Sequence, residues 1–228
     1  MNREQFSGAV KNVFAFYEAM GFERLPIPVK PVSRNVASGV KEAALDALRS
    51  AIGDCRKCKL SRQRTHIVFG EGSADAGLMF IGEAPGREED LQSRPFVGEA
   101  GTLLTRLIEK MEFTRADVYI ANIVKCRPPM NRDPDPEEIE MCRGFLEKQI
   151  EIIQPKVIMS LGRIAAQTLI GDAKLKITAI RGRLFDYRGI PMIPTFHPAY
   201  LIRTPRDKWL TWADAQKVLE LLGNREGR

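Results

Sequence analysis

The sequence predicts an α/β fold, a mostly parallel sheet lying between helical layers. Two observations carry that expectation. Apolar runs of strand length alternate with amphipathic helical stretches through most of the chain, as they do in proteins built from βαβ units. One of those runs, Leu78-Met79-Phe80-Ile81, is continuously apolar and reads as a buried strand. It stops at the turn GEAPGREED, residues 82–90, where four carboxylates fall within nine residues. In an open α/β sheet such a loop arrives at the carboxyl edge, where ligands bind. Crowded carboxylates repel, so something must compensate them; the plain alternative is a solvated acidic loop.

The elements follow in order. Residues 1–21 place Phe6, Val10, Val13, Phe14, Tyr17 and Met20 at helical spacing. Residues 22–38 carry Pro26, Pro28 and Pro31 without periodicity and read as a linker. Residues 1–38 are thus an expected appendage, with 39–228 the main domain. The appended helix is a candidate contact for a protein partner. A second helix is expected over 40–52, then a polar, basic stretch and a strand at 67–69. After the strand at 78–81 and the acidic loop come a helix at 98–111 and a strand at 118–124. Pro136 opens the next helix, as proline does at a first helical position, with Glu137 and Glu138 at its positive end. A strand at 156–161, a helix at 162–170 and strands at 183–187 and 192–196 follow. Residues 197–203 read as a loop, and a last amphipathic helix spans 205–222.

The totals bound the function. The chain has 228 residues, 44% of them hydrophobic, which supports a sizeable core. No run is long enough to span a bilayer and no apolar signal core opens the chain, so a cytoplasmic protein is expected, with no membrane partner. A net charge of +6 is consistent with an anionic partner. A monomer is expected.

The four cysteines form a C-x-x-C pair, Cys55 and Cys58, followed by Cys126 and Cys142. In a reducing compartment such a set points to metal or reactivity more than to disulfides. Four thiolates without histidine suit an iron–sulfur cluster or structural zinc, and spacing does not separate the two; core cysteines without a metal are the third reading. Arg56, Lys57, Lys59, Lys125 and Arg127 surround them, to offset thiolate charge and to face phosphates.

Four segments together resemble one family. GEAPGREED at 82–90, RPFVG at 94–98, NIVKCRPP at 122–129 and HPAYLIR at 197–203 are similar to motifs of the family 4 uracil-DNA glycosylases, the iron–sulfur members of their superfamily. The cysteine spacing resembles theirs as well, and the likeness covers roughly residues 41–222. It implies a three-layer α/β/α sandwich around a short, mostly parallel sheet, a 4Fe–4S cluster on Cys55, Cys58, Cys126 and Cys142, and uracil-containing DNA, single- or double-stranded, as partner.

Chemistry then gives the residues their expected roles. Enzymes acting on a base flip it into a pocket and read its Watson–Crick edge. Uracil presents an N3–H donor beside an O4 acceptor, and a fixed amide at Asn122 offers the complement. Phe96 is the candidate stacking partner. By resemblance, Glu89 occupies the space of thymine's 5-methyl group. Cleavage leaves negative charge on uracil and an oxocarbenium-like sugar. His197, as a neutral donor, with backbone N–H groups around Glu83 and Ala84, is the candidate to stabilise the leaving anion, and Gly82 belongs to the expected uracil-binding set. The superfamily's water-orienting aspartate is replaced here by Ala84, so Glu83 is the candidate to polarise water or stabilise the sugar, or else it fixes the loop by accepting N–H bonds. Tyr200 or Leu201 is the candidate wedge into the base stack, with Arg203 and Arg206 on phosphates.

The expected product is an abasic site. Three alternatives stand beside it: a metal-stabilised DNA-binding protein without catalysis, a relative with broader deaminated-base specificity, and a redox or zinc protein using Cys55 and Cys58. A relative that traps the sugar covalently needs an inserted basic loop after Cys126, which the sequence lacks.

Overall fold

The computed structural model describes residues 36–223. The expected helix at 1–21 and nearly all of the linker lie outside them. The elements run α1 (Val36–Ile52), β1 (Glu71–Gly72), β2 (Leu78–Gly82), α2 (Arg87–Gln92), α3 (Glu99–Lys110) and β3 (Tyr119–Asn122). They continue with α4 (Pro136–Ile153), β4 (Val157–Leu161), α5 (Arg163–Ile170), α6 (Ile177–Ile180), β5 (Phe185–Tyr187), β6 (Ile190–Thr195), α7 (Pro198–Arg203) and α8 (Lys208–Gly223).

The six strands form one sheet in the order β1-β3-β2-β4-β6-β5. The inner four are parallel, and β1 and β5 close the two edges antiparallel. Strand side chains alternate between faces, and both faces here are covered. Met79 and Ile81 of β2 join α1, α4 and α5 in one core. Leu78 and Phe80 join α3 and α8 in the other. The result is the expected α/β/α sandwich. All five residues of β2 and of β4 are buried, which is why neither shows polar alternation in sequence.

Local chemistry sets the ends. α4 begins at Pro136 behind an Asp135 cap, and the Glu138 carboxylate reaches back to the Asp135 N–H at 2.8 Å. Glu138 is fully buried and is held there by both terminal nitrogens of Arg132, at 2.7 and 2.9 Å. Between β5 and β6, Arg188 and Gly189 take φ of 51° and 86°, the two-residue turn that suits a twisted hairpin.

Several expectations are corrected. Residues 67–69 are not a strand: Val68 donates to the Lys125 carbonyl at 2.8 Å, but ladder pairing begins only at Glu71. Gly70, at φ +136°, turns the chain there, and a Cβ on it would lie 3.0 Å from the Tyr119 hydroxyl. The strand at 118–124 is shorter, ending at Asn122, and that at 183–187 begins only at Phe185. α1 starts at Val36, so residues 36–38 are helical rather than linker. Residues 198–203 are a helix, not a loop. The acidic loop also contains a short helix, α2, because Glu89 bonds back to the Gly86 N–H at 3.1 Å and carboxylates favour a helix N-terminus. No helix among the described residues is long and apolar enough to cross a membrane.

The compensation demanded by the acidic loop comes from backbone donors. Asp90, 3% exposed, accepts from the N–H groups of Thr65 and His66 at 2.9–3.2 Å. Asp90→Ala should orphan both, at about 1–3 kcal/mol, lowering Tm by roughly 2–10 °C in thermal unfolding. An unchanged Tm would show that water replaces the carboxylate.

Candidate active site

The parallel register decides where the site falls. Gly82 ends β2 level with Asn122 at the end of β3, and His197 lies two residues beyond the end of β6. Three carboxyl ends of the sheet therefore meet in one pocket. Glu83, Ala84, Glu89, Phe96, Asn122, His197, Tyr200 and Arg203 all line it.

Gly82 has no Cβ, and the pocket uses that space. A Cβ there would lie 2.4 Å from the Phe96 ring and 2.5 Å from Asn122 Oδ1. Asn122 is 2% exposed, and its Oδ1 is buried without a hydrogen-bond partner among the described residues. A buried acceptor without a partner is costly, and Asn122 lines the pocket from which a ligand could supply one. The backbone of Asn122 is held from behind. Lys125, also buried, donates from Nζ to the Asn122 carbonyl at 2.9 Å and to Gln149 Oε1 at 2.6 Å. Gln149 in turn donates to the Phe69 carbonyl at 2.9 Å and bonds the Tyr119 hydroxyl at 3.1 Å.

Phe96 is buried with φ of 51°, a left-handed conformation rare outside glycine. It is gripped from two sides. Glu89 Oε1 accepts the N–H groups of Val97 and Gly98, each at 2.9 Å. Arg115 donates to the carbonyls of Pro95 and Phe96 at 2.7 and 3.0 Å, while Glu71 pairs with both Arg115 and Arg94. The Phe96 and His197 rings lie 5.7 Å apart, tilted by 33°.

His197 caps α7, with Nδ1 accepting the Ala199 N–H at 3.1 Å. A neutral ring with Nδ1 accepting carries its proton on Nε2. Part of His197 is open to the pocket, yet protein surrounds most of the ring, and burial lowers its pKa to about 4; Glu89 opposes the shift and Arg203 adds to it. At neutral pH it is an uncharged donor. Gly162, at φ +91°, lies beneath it, where a Cβ would come within 2.8 Å of His197 Cβ.

The carboxylates of the acidic loop divide the work. Glu89 and Asp90 are committed to backbone donors. Glu83 has no hydrogen bond to its carboxylate among the described residues, so it does not fix the loop in the way considered above. Burial pushes its pKa up to about 7, Asp133 adds to the shift, and Arg163 opposes it.

The residues expected to face DNA are only partly brought together. Tyr200 and Arg203 line the pocket. Arg206 is exposed and lies outside it. Leu201 is 3% exposed, so the expected exposed Leu201-Ile202 pair is not present: turning residues 198–203 into a helix folds Leu201 inward. Lys125 cannot face phosphates either, since it is 1% exposed.

All four cysteines are free thiols lining one further pocket, with Lys57, Arg64 and Lys125 beside them. Arg64 Nη1 lies 3.5 Å from Cys126 Sγ, and the Lys125 N–H lies 3.3 Å from Cys142 Sγ. Burial pushes the Cys126 thiol up to about 12, the opposite of what a reactive thiol needs. No group of three or more His, Cys, Asp or Glu among the described residues is placed to hold a single metal ion.

The sequence reading missed Arg115, Gln149 and Gly162. Arg115 and Gln149 sit in no motif, and only the folded chain brings them to Phe96 and Lys125. Gly162 follows a strand directly, and that position was the available signal.

A half-open pocket at strand ends that carries an aromatic ring, an amide oxygen without a partner among the described residues and a neutral imidazole has the chemistry to take a planar heterocycle. Comparison with known proteins agrees. The family model described as "Uracil DNA glycosylase superfamily" matches residues 69–221. The Type-4 uracil-DNA glycosylase of Thermotoga maritima is 48% identical over 164 residues, 72% of this chain and 85% of the relative. That of Archaeoglobus fulgidus is 42% identical over 190 residues, 80% of this chain and 96% of the relative. That of Saccharolobus solfataricus is 43% identical over 189 residues, 79% and 88% of the two chains. The chain belongs to the uracil DNA glycosylase superfamily.

Arg115→Ala should release the Phe96 loop. Hydrogen exchange at the Val97 and Gly98 amides is expected to speed up while the strands stay protected. Unchanged exchange would mean that Glu89 suffices alone.

Proposed function

We propose that this protein is a monofunctional uracil-DNA glycosylase of base-excision repair. It hydrolyses the N-glycosidic bond of uracil in DNA and leaves an abasic site. The observation that carries the reading is Asn122: a buried amide whose Oδ1 has no partner among the described residues, in the pocket with Phe96 and His197. Uracil supplies the missing donor through N3–H, and the amide N–H₂ meets O4. Cytosine has no proton at N3 and an amine in place of O4, so it meets like with like. Glu89, tied to three backbone donors, cannot swing away from the pocket wall, which suits it to exclude a 5-methyl group.

As the glycosidic bond breaks, negative charge gathers on the base. His197 donates from Nε2 to uracil O2, joined by backbone N–H groups of the Gly82–Ala84 turn, in the manner of an oxyanion hole. An imidazole this hard to protonate stabilises charge without transferring a proton. Glu83 is the pocket carboxylate without a hydrogen-bond partner among the described residues. As an anion it offsets oxocarbenium charge and orients water, the role that Ala84 cannot take. Tyr200, Arg203 and Arg206 hold the DNA.

A 4Fe–4S cluster fits Cys55, Cys58, Cys126 and Cys142, a four-thiolate set in one pocket with Arg64 and the Lys125 amide directed at sulfur. When bound it ties the segment after α1 to the start of β3's exit loop and to α4. About four irons per chain in purified protein would support the cluster; one zinc instead would sink it.

The test is a labelled oligonucleotide with one uracil opposite guanine, followed by alkali. Cleavage should require uracil and be absent with thymine. His197→Ala and Asn122→Ala should each lose about 10²-fold or more while keeping the native circular dichroism. No cleavage by folded wild-type protein would overturn the reading, and hypoxanthine and xanthine would then be tried.

The rate should also depend on pH through Glu83. Its pKa is raised to about 7 and the anion is the active form, so activity falls as pH drops through 7 and is full above about 8. His197, at about 4, does not titrate in that window. Glu83→Gln should flatten the profile at a low rate; a wild-type profile flat between pH 6 and 8 would contradict the role.

A further inference from the structure

We infer that Met130 is the wedge that enters the base stack as the target base leaves it. The inference rests on the reading that the pocket receives a flipped uracil. Met130 is 92% exposed, well above every other large exposed hydrophobic among the described residues, Trp209 at 67% being next. An apolar side chain displayed so fully, on a loop at the mouth of the pocket, calls for a partner that is absent when DNA is absent.

The loop presents it rigidly. Met130 and Asn131 are consecutive non-glycine residues at φ of 55° and 53°, a conformation that persists only when surrounding structure imposes it. Pro128 and Pro129 precede them. The Asn131 and Arg132 N–H groups donate to the carbonyls of Pro128 and Pro129, both at 3.1 Å. Arg127 Nε donates to Asn131 Oδ1 at 2.8 Å, and Arg132 is locked onto buried Glu138. Pro128, Asn131 and Arg132 line the pocket, and Met130 does not. Its neighbours thus form the rim while Met130 stands outside it.

The two earlier candidates are occupied elsewhere. Leu201 is in the core. Tyr200 stacks on Phe196 at 4.7 Å and donates its hydroxyl to Asp207 at 2.6 Å, so inserting it would break both contacts. Methionine is among the apolar wedges that part base steps, and its unbranched, polarizable thioether adapts to the gap a departing base leaves.

A wedge matters only where there is a stack to open, and this separates it from a structural residue. Single-turnover excision would be measured on paired duplex and on single-stranded DNA for wild type, Met130→Ala and Met130→Leu. Met130→Ala should slow the duplex reaction by roughly tenfold or more and leave the single-strand rate within about twofold, with Tm unchanged as for other exposed substitutions. Met130→Leu should recover most of the duplex rate. A bulky aromatic nucleotide analogue placed opposite uracil should rescue Met130→Ala by pushing the base out from the other side. Equal losses on both substrates, no loss on either, or no rescue would overturn the assignment. Wild-type protein inactive on both substrates would instead strike the pocket reading, and the wedge with it.

Discussion

The pocket depends first on the parallel register that ends β2 and β3 side by side, with Gly82 level with Asn122. That pairing is what puts a missing side chain next to an amide. Any residue larger than glycine would meet the Phe96 ring and Asn122 Oδ1 at 2.4–2.5 Å. Shifting the register by one residue would also turn Asn122 to the other face of the sheet. The same four parallel strands bring His197 to the pocket, with Gly162 packed against its Cβ. The shape of the pocket is therefore set by backbone geometry before any side chain chooses a partner.

A second layer keeps these groups in place. Glu89 and Arg115 hold the loop around Phe96 by its N–H and carbonyl groups respectively. Lys125 is the hinge between two sites: its ammonium fixes the Asn122 carbonyl and Gln149, and its own N–H lies against Cys142 Sγ. The cysteine cluster and the Asn122 amide thus share one supporting residue. Buried polar networks of this kind are stabilising only when complete. Here Asn122 Oδ1 is buried without a partner among the described residues, and under the proposed function the base supplies the donor.

Much of this was legible in the sequence. Continuous apolar runs revealed the inner strands, because both faces of β2 and β4 are covered. The proline and acidic residues at 136–138 revealed α4, because caps are local. Glu83, Asn122 and His197 were legible as pocket residues because they sit at or just beyond strand ends, and Phe96 because it lies between Pro95 and Gly98 in a short connection. What the sequence hid is non-local. The edge strand β1 is two residues long and reads as loop. Arg115 reaches Phe96 only through the tertiary fold. Leu201 looked exposed because residues 197–203 carry an arginine and follow a proline, yet a single turn of helix buries it. Met130 is silent in the sequence, because an apolar residue in a turn has no signature until its exposure and backbone are known.

The central claim is that Asn122 Oδ1 accepts a hydrogen bond from N3–H of the extruded base. The most direct measurement compares excision of uracil and of N3-methyluracil from otherwise identical single-stranded DNA. Both have the same glycosidic bond and the same O2 for His197, but the methyl group removes the donor and fills its place. The account predicts that uracil is released and N3-methyluracil is slowed by about 10²-fold or more, as expected when a buried acceptor is left unpaired. Equal rates would contradict it and leave Asn122 as a strand-end residue with no part in reading the base.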